Sequence, residues 1–208
     1  MSSQNDLLSK KKLGTILDEI AEKEWSVIDD LFPSDFLEEL KAEVRQFWED
    51  GDFRKAGVGI GDSLTVRPEI RSDRVLWLDN AQLTPLQKQY WDFIEQLRTE
   101  INQNFFAGLK FFEAHFAVYP AGSFYKKHLD QFKEVNYRKI TCLLYLNDDW
   151  TQADGGQLRV YHPGDETQFT DVIPINGRFV CFKSGSVYHE VLPSKRERFS
   201  LTGWLRTN

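Results

Sequence analysis

The spacing of apolar residues changes character near the middle of the chain. Before residue 110, apolar side chains recur at helical intervals over 5–21, over 35–50 and in a segment that begins at Thr84. The third helix is the clearest, because Thr84 can cap it, Pro85 suits its first turn and Gln87 completes a capping box. The first half of the chain is therefore predicted to be helical around a few strands.

Short runs of β-branched and aromatic residues, separated by glycine-containing turns, dominate the second half. Two such runs also occur earlier, WSVIDDLF at 25–32 and RVLWL at 74–78. The later runs are FFEAHFAVY, KITCLLYLN, GQLRVYH, RFVCFK, VYHEVL and RFSLTGWL. This density of strands predicts one mostly β domain over 1–208, with a double-stranded β-helix (jelly roll) core at about 111–206. The N-terminal helices, including one within 1–24, are expected to flank the core and pack outside it.

Residues 53–70 differ from both patterns. They contain three glycines, one proline and several charges, with little periodicity, which is typical of a mobile loop or hairpin. Composition leaves two interpretations open, a flap over a binding site and an ordinary surface hairpin.

Charge and composition exclude several classes of protein. A net charge of −6 argues against a domain that binds nucleic acid with its whole surface. No stretch approaches the ~18 apolar residues that would span a bilayer, and the polar start is not a secretory signal. Cys142 and Cys181 lie in apolar runs and are predicted to be buried and reduced, as in a cytoplasmic protein.

The candidate chemistry begins with His128 and Asp130. Residues two apart in a strand point to the same face, so both side chains could approach one ion, and His189 in another strand-like run could supply a third ligand. Two imidazoles and one carboxylate form the facial triad of iron(II) oxygenases, which leaves three coordination positions open. The spacing alone also fits ordinary polar residues, so both interpretations stand at this point.

An arginine strengthens the metal interpretation. Arg198 follows His189 by nine positions and begins a strand-like run. Its planar guanidinium can grip a carboxylate in a bidentate manner, and Tyr145 could donate a further hydrogen bond. The alternative is a surface salt bridge, which suits the neighbouring Arg196 better than Arg198. His115 and His162 have no partner at ligand spacing and are interpreted as structural.

With these residues in view, the sequence resembles the 2-oxoglutarate and iron(II)-dependent dioxygenases. Within that family it is similar to the prolyl hydroxylases that act on hypoxia-inducible factor, and most similar to their bacterial counterparts, whose target is elongation factor Tu. The resemblance runs from about Trp25 to Arg206. The segments that carry it are Val27 to Asp30, Ile70 to Asp73, Tyr119-Pro120, His128 to Asp130, Tyr145 to Trp150, Gly155 to Arg159, His189 to Val191, and Arg198 to Trp204.

The resemblance implies roles for individual residues. His128, Asp130 and His189 would bind the metal. Arg198, which is also counted among the catalytic residues, would hold the far carboxylate of 2-oxoglutarate. The other residues implied in the site are Tyr145, Tyr119 and Thr202 near the cosubstrate, Tyr125 and Trp204 beside the target proline, and Arg138 and Asp73 at the peptide. Residues 53–70 match the family's mobile finger loop.

The function implied by the resemblance is a prolyl 4-hydroxylase that converts a proline of a protein substrate, O2 and 2-oxoglutarate into 4-hydroxyproline, succinate and CO2. Iron(II) would be the metal and ascorbate a stimulant, with no nucleic acid or membrane as partner. A role in oxygen sensing would depend on the Michaelis constant for O2. The alternatives are a related oxygenase of a small molecule or another side chain, and a cupin-like sensor that binds metal and 2-oxoglutarate without catalysis.

Overall fold

The computed structural model describes residues 2–57, 65–131 and 136–208, with side chains from residue 10 onward. Its helices are α1 (Ser2–Lys23), α2 (Ser34–Glu49) and α3 (Pro85–Phe105). Its strands are β1 (Trp25–Ile28), β2 (Arg54–Lys55), β3 (Arg74–Trp77), β4 (Phe111–Tyr119), β5 (Tyr125–His128), β6 (Arg138–Tyr145), β7 (Leu158–His162), β8 (Asp165–Val172), β9 (Phe179–Lys183), β10 (His189–Val191) and β11 (Arg198–Arg206).

The strands form two sheets that face one another. The larger sheet has the order β1-β9-β6-β11-β4-β3-β2, and the smaller has the order β5-β10-β7-β8. All of the strand pairings within them are antiparallel. Side chains from both sheets, among them Leu143 of β6 and Val160 of β7, pack into one buried cluster. The predicted mostly β jelly roll is therefore confirmed.

The two-residue period of β4 explains why one face of the larger sheet contacts the helices and the other face lines the space between the sheets. Phe112, Ala114, Phe116 and Val118 belong to the cluster that includes the helices, whereas Ala117 and Tyr119 belong to the cluster between the sheets. Successive side chains of a strand point to opposite faces, so the same strand covers the helices with one set and lines the interior with the other. The three helices pack outside the core, as predicted.

The capping box predicted for the third helix is present. Thr84 accepts a hydrogen bond from the backbone N–H of Gln87, whose side chain accepts one from the backbone N–H of Thr84. These reciprocal bonds satisfy donors that the helix itself leaves free. The stripe of α3 that follows the box is buried against the sheet and α1.

Several boundaries differ from the sequence-based expectations. The first strand ends at Ile28 and not at residue 32, because Asp30 adopts a left-handed conformation (φ 57°) that ends the extended run. Strand β8 was not predicted. Most of its residues are exposed, so it lacks the alternation of apolar and polar positions by which a strand is recognised.

Residues 53–70 are described only in part. Arg54 and Lys55 form β2 at the edge of the larger sheet, while 58–64, the middle of the expected finger loop, lie outside the described residues. Among the helices of the described part, none is both long and apolar enough to cross a membrane.

Candidate active site

Two histidines meet because their strands are neighbours in the smaller sheet. His128 of β5 and His189 of β10 are directly opposite in the antiparallel register, and their ring centroids are 4.2 Å apart. Side chains of directly opposite residues project to the same face of a sheet. Pairing of β5 with β10 thus brings together two ligands that are 61 positions apart in the sequence (189 − 128 = 61).

Asp130 lies close to the two histidines, but not because of the strand alternation that the sequence suggested. Strand β5 ends at His128, and Asp130 lies in the bend that follows, so strand alternation does not place it. Its Oδ1 is 3.4 Å from Nε2 of His128 and its Oδ2 is 3.6 Å from Nε2 of His189. One ligand atom from each of the three residues lies within 4.8 Å of the others.

Hydrogen bonds outside this triad orient each of its members. Nδ1 of His128 is 2.7 Å from the carbonyl oxygen of Lys126, and Nδ1 of His189 is 3.1 Å from that of Val187. A carbonyl can only accept, so Nδ1 carries a proton in both rings, and Nε2 is the atom that each ring directs toward Asp130. Such outer partners are typical of metal-binding histidines.

The carboxylate of Asp130 is held by a buried hydroxyl pair. Thr141 donates a hydrogen bond from Oγ1 to Oδ2 of Asp130 at 2.8 Å, and the same Oγ1 is 2.9 Å from Oγ of Ser184. Thr141 is 1% exposed and Ser184 is fully buried. Thr141 therefore fixes Oδ2 of Asp130, and Oδ1, on the side of His128, remains available to a metal ion.

The electrostatics favour the protonation states that a cation requires. Burial, with a further contribution from His128, lowers the pKa of His189 to about 4, so its imidazole is neutral at pH 7. Burial would raise the pKa of Asp130, but His189 and His128 outweigh burial and hold that pKa well below its ordinary value. Two imidazoles and a carboxylate are a donor set that fits iron(II).

Arg198 lines the same cavity as the triad and is 1% exposed. Its Nε and Nη2 have no hydrogen-bond partner, and no carboxylate of the described residues pairs with it. Its guanidinium lies 4.9 Å from the ring of Tyr119 and 4.8 Å from the ring of Tyr145. The alternative of a surface salt bridge is therefore wrong for Arg198. A buried cation with free donors is costly, and a ligand carboxylate would satisfy it.

A glycine makes room for this arginine. Gly156 has φ +66°, and a Cβ added to it would lie 3.0 Å from Cδ of Arg198 and 3.1 Å from Oγ of Ser194. The turn thus needs a residue without a side chain for two reasons, its left-handed backbone and its close approach to Arg198. The sequence had suggested only a turn at this position.

The triad and Arg198 line one cavity of about 570 Å³, a size suited to a small ligand. Of the cosubstrate residues expected from the sequence, Tyr119 and Thr202 line its wall. Tyr145 does not. It is fully buried behind the wall, and its hydroxyl has no hydrogen-bond partner. The ring of Tyr145 lies beside the guanidinium of Arg198, so both side chains belong to the same part of the site.

The substrate residues expected from the sequence fall into two groups. Tyr125, Arg138 and Trp204 line the cavity. The Tyr125 ring stacks on His128 with centroids 3.6 Å apart, and the guanidinium of Arg138 lies 3.7 Å from the centroid of the Trp204 ring.

Asp73 is placed differently. It is 1% exposed and forms a bidentate ion pair with Arg71, and only Arg71 of this pair lines the cavity. The guanidinium of Arg71 lies 4.3 Å from the centroid of the Tyr125 ring. Asp73 therefore contacts the cavity only through Arg71, which completes a stack of Arg71, Tyr125 and His128.

Sequence reasoning missed three side chains of the site, Arg71, Thr141 and His115. Arg71 stood in a quoted motif, but nothing in its spacing indicated that it would reach Tyr125. Thr141 lies in an apolar run, where its period-two phase with Leu143 and Tyr145 could have signalled an inward side chain. His115 was interpreted as structural, yet it lines the cavity.

Comparison with known proteins agrees with this geometry. Residues 114–206 match the sequence model of the 2OG-Fe(II) oxygenase superfamily. The crystal structure of a Pseudomonas putida prolyl-4-hydroxylase is 41% identical, with a TM-score of 0.85, and the match covers 94% of this chain and 99% of that one. A prolyl hydroxylase of Trichoplax adhaerens, solved with a peptide of hypoxia-inducible factor, has a TM-score of 0.87 at 22% identity over 100% of this chain and 94% of that one, and this likeness concerns the fold.

Animal relatives are longer. The hypoxia-inducible factor prolyl hydroxylase of Caenorhabditis elegans is 31% identical over 196 residues, which cover 86% of this chain and 26% of that protein. Human Egl nine homolog 1 is 28% identical over 186 residues, which cover 86% of this chain and 42% of that protein. The chain thus spans between a quarter and a half of the length of these relatives.

Proposed function

The chain belongs to the 2OG-Fe(II) oxygenase superfamily, and from that premise we propose that it is a prolyl 4-hydroxylase of a protein substrate. One observation supports the proposal most directly. His128, Asp130 and His189 line the same cavity as Arg198, whose buried guanidinium has nitrogens without a hydrogen-bond partner. The identity of 41% with a bacterial prolyl-4-hydroxylase over nearly the full length of both chains supports the choice of reaction.

The residues divide the work of binding the cosubstrates. His128, Asp130 and His189 would hold iron(II), which when bound supplies the site where 2-oxoglutarate and O2 react. Arg198 would bind the far carboxylate of 2-oxoglutarate, and the unpaired hydroxyl of Tyr145 would donate a second hydrogen bond to it. Tyr119 and Thr202 would line the space between the carboxylate site and the metal site. The buried walls would exclude water from this space.

The residues at the mouth would position the proline. Tyr125, held between Arg71 and His128, and Trp204, covered by Arg138, offer aromatic surfaces of fixed orientation. A pyrrolidine ring between such surfaces would present one C–H bond to the metal site and turn the others away. Accurate placement of the reacting bond is the protein's main contribution in such chemistry.

Elongation factor Tu is the protein substrate that we propose, with the cytoplasm as the place of the reaction. The support is the sequence resemblance to bacterial enzymes of this specificity, together with the high identity to the Pseudomonas putida enzyme.

The experiment that tests the proposal is mass spectrometry of purified elongation factor Tu after incubation with the protein, iron(II), 2-oxoglutarate and O2. One proline is expected to gain a single oxygen atom, with one succinate formed per hydroxyproline. His189→Ala is the matched inactive control, because two remaining ligands would not hold the metal in place.

The other outcomes separate the alternatives. Oxygen on a residue other than proline would contradict the prolyl assignment and leave an iron oxygenase. If elongation factor Tu is unchanged, a proteome comparison between wild type and the His189→Ala strain would seek another protein. Succinate without any modified protein would indicate a small-molecule substrate, and binding of 2-oxoglutarate without succinate would indicate a sensor.

A further inference from the structure

His115 is a third histidine in the cavity, separate from the triad. It lies on β4 opposite Thr202 of β11 on one side and opposite Trp77 of β3 on the other. These three residues form a row across the larger sheet, and all three line the cavity. His115 is the buried member of this row, whereas Trp77 is half-exposed.

The imidazole of His115 is buried and held in a fixed place, but its polar atoms are not satisfied. It is 3% exposed, and its ring packs against Trp77 and Trp204 at centroid distances of 4.8 and 5.3 Å. Nδ1 has no hydrogen-bond partner, and neither does the neighbouring Nε1 of Trp204. Buried polar groups are normally paired, so an unpaired nitrogen in a side chain that lines a cavity is an exception.

The charge state of the ring defines what it can bind. Burial, followed by the nearby Arg71 and Arg138, lowers the pKa of His115 well below its ordinary value. The ring is therefore neutral at pH 7 and offers one N–H donor and one acceptor nitrogen. A purely structural histidine at this position would satisfy at least one ring nitrogen within the protein, and no side chain or backbone group of the described residues forms a hydrogen bond with the ring of His115.

The proposed substrate has a matching property. A prolyl residue has no backbone N–H, so its only polar backbone group is the carbonyl oxygen, which is an acceptor. A cavity that encloses a prolyl residue must therefore supply hydrogen-bond donors to that oxygen, or leave it unpaired at a cost. The imidazole of His115, whose side chain lines the cavity, has a nitrogen without a hydrogen-bond partner and can supply one N–H donor.

We propose that His115 is a specificity-determining residue that donates a hydrogen bond to the backbone carbonyl of the target proline. This inference rests on the proposed function, because it requires a prolyl substrate in the cavity. It distinguishes His115 from Arg198 and the triad, whose partners are the cosubstrate and the metal.

The test measures equilibrium binding of a substrate peptide without turnover. The protein is loaded with Zn(II) and 2-oxoglutarate, and the affinity of a synthetic elongation factor Tu peptide that carries the target proline is measured by calorimetry. His115→Met, which removes the donor at similar length, is expected to weaken peptide binding about three- to tenfold, the effect of one hydrogen bond. His115→Gln keeps a side-chain N–H and is expected to recover most of the affinity.

A second peptide isolates the proposed contact. In it, the carbonyl oxygen of the target proline is replaced by sulfur, a weaker acceptor. This change is expected to reduce affinity for wild type and to have no further effect on His115→Met, because the two changes remove the same bond. Additive losses would overturn the proposal.

Two further results are decisive. Unchanged peptide affinity in His115→Met would overturn the inference alone, and so would an equal loss of 2-oxoglutarate affinity, since the ring would then serve the cosubstrate or the fold. If wild type itself does not bind the elongation factor Tu peptide, the proposed substrate fails, and the inference about His115 fails with it.

Discussion

Replacing Thr141 by valine is expected to weaken metal binding while the fold is retained. Valine has nearly the same shape as threonine but cannot donate the 2.8 Å hydrogen bond to Oδ2 of Asp130. The carboxylate would lose the contact that fixes its orientation, and Ser184 would lose its hydroxyl partner. Thr141 is not a metal ligand, so the effect would pass entirely through Asp130.

The size of the effect follows from burial. Thr141 is 1% exposed and Asp130 is 9% exposed, so water does not readily replace the lost donor. A hydrogen bond to a charged group contributes about 1.5–3 kcal/mol, which corresponds to roughly 10- to 100-fold in an equilibrium constant at about 1.4 kcal/mol per factor of ten. Loss of outer partners at metal sites typically costs about the same factor in metal affinity.

The assay is a titration with Mn(II), in which the free ion is followed by electron paramagnetic resonance. Thr141→Ser keeps the hydroxyl and is expected to retain most of the affinity, and thermal unfolding of the metal-free wild type and both variants checks that all three proteins fold. If Thr141→Val binds Mn(II) within about twofold of wild type, the hydrogen bond does not orient Asp130 and the reasoning is refuted.

Three further predictions follow from the structure. Arg198→Ala is expected to weaken 2-oxoglutarate binding by about 2–5 kcal/mol, as for one partner of a buried charge pair. Calorimetry measures this affinity. Arg196 is more exposed, so Arg196→Ala is the control that should leave the affinity unchanged. Gly156→Ala would place a Cβ 3.0 Å from Cδ of Arg198 in a left-handed turn, so both stability and 2-oxoglutarate affinity should fall, and normal values of both would contradict the close approach. Hydrogen bonds from Arg178 hold the pKa of Asp29 below its ordinary value, so Asp29→Asn should destabilise by about 0.2–1 kcal/mol at neutral pH. That difference should disappear as the pH falls through the lowered pKa, and urea unfolding at pH 7 and at acidic pH measures it.

Local patterns in the sequence determined much of the framework. The capping box at Thr84 and Gln87 lies within four consecutive residues, so the start of α3 can be predicted from the local sequence alone. The inward and outward sides of β4 follow from its two-residue period. The candidate ligands His128, Asp130 and His189 were found by residue type, because few side chains can bind iron(II) and leave positions open.

Other features depend on contacts between distant parts of the chain. Strand β8 is mostly exposed and is recognisable only by its pairing with β7. Asp130 joins the histidines from a bend and not from a strand, because the pairing of β5 with β10 decides where the bend lies. The ion pair of Arg71 with Asp73 could be guessed from their proximity in sequence, but its place over Tyr125 could not.

The sequence by itself thus determined the elements and the kinds of chemistry, since both are properties of short stretches and of individual side chains. Only the tertiary structure decided which polar groups are paired. Arg198 was ambiguous as a residue, because an arginine of a strand can belong to a surface salt bridge or to a site, and His115 was interpreted as structural. In the structure both side chains line one cavity, and both have nitrogens without a hydrogen-bond partner. Burial and hydrogen-bond satisfaction are set by neighbours on other strands, which the local sequence does not encode.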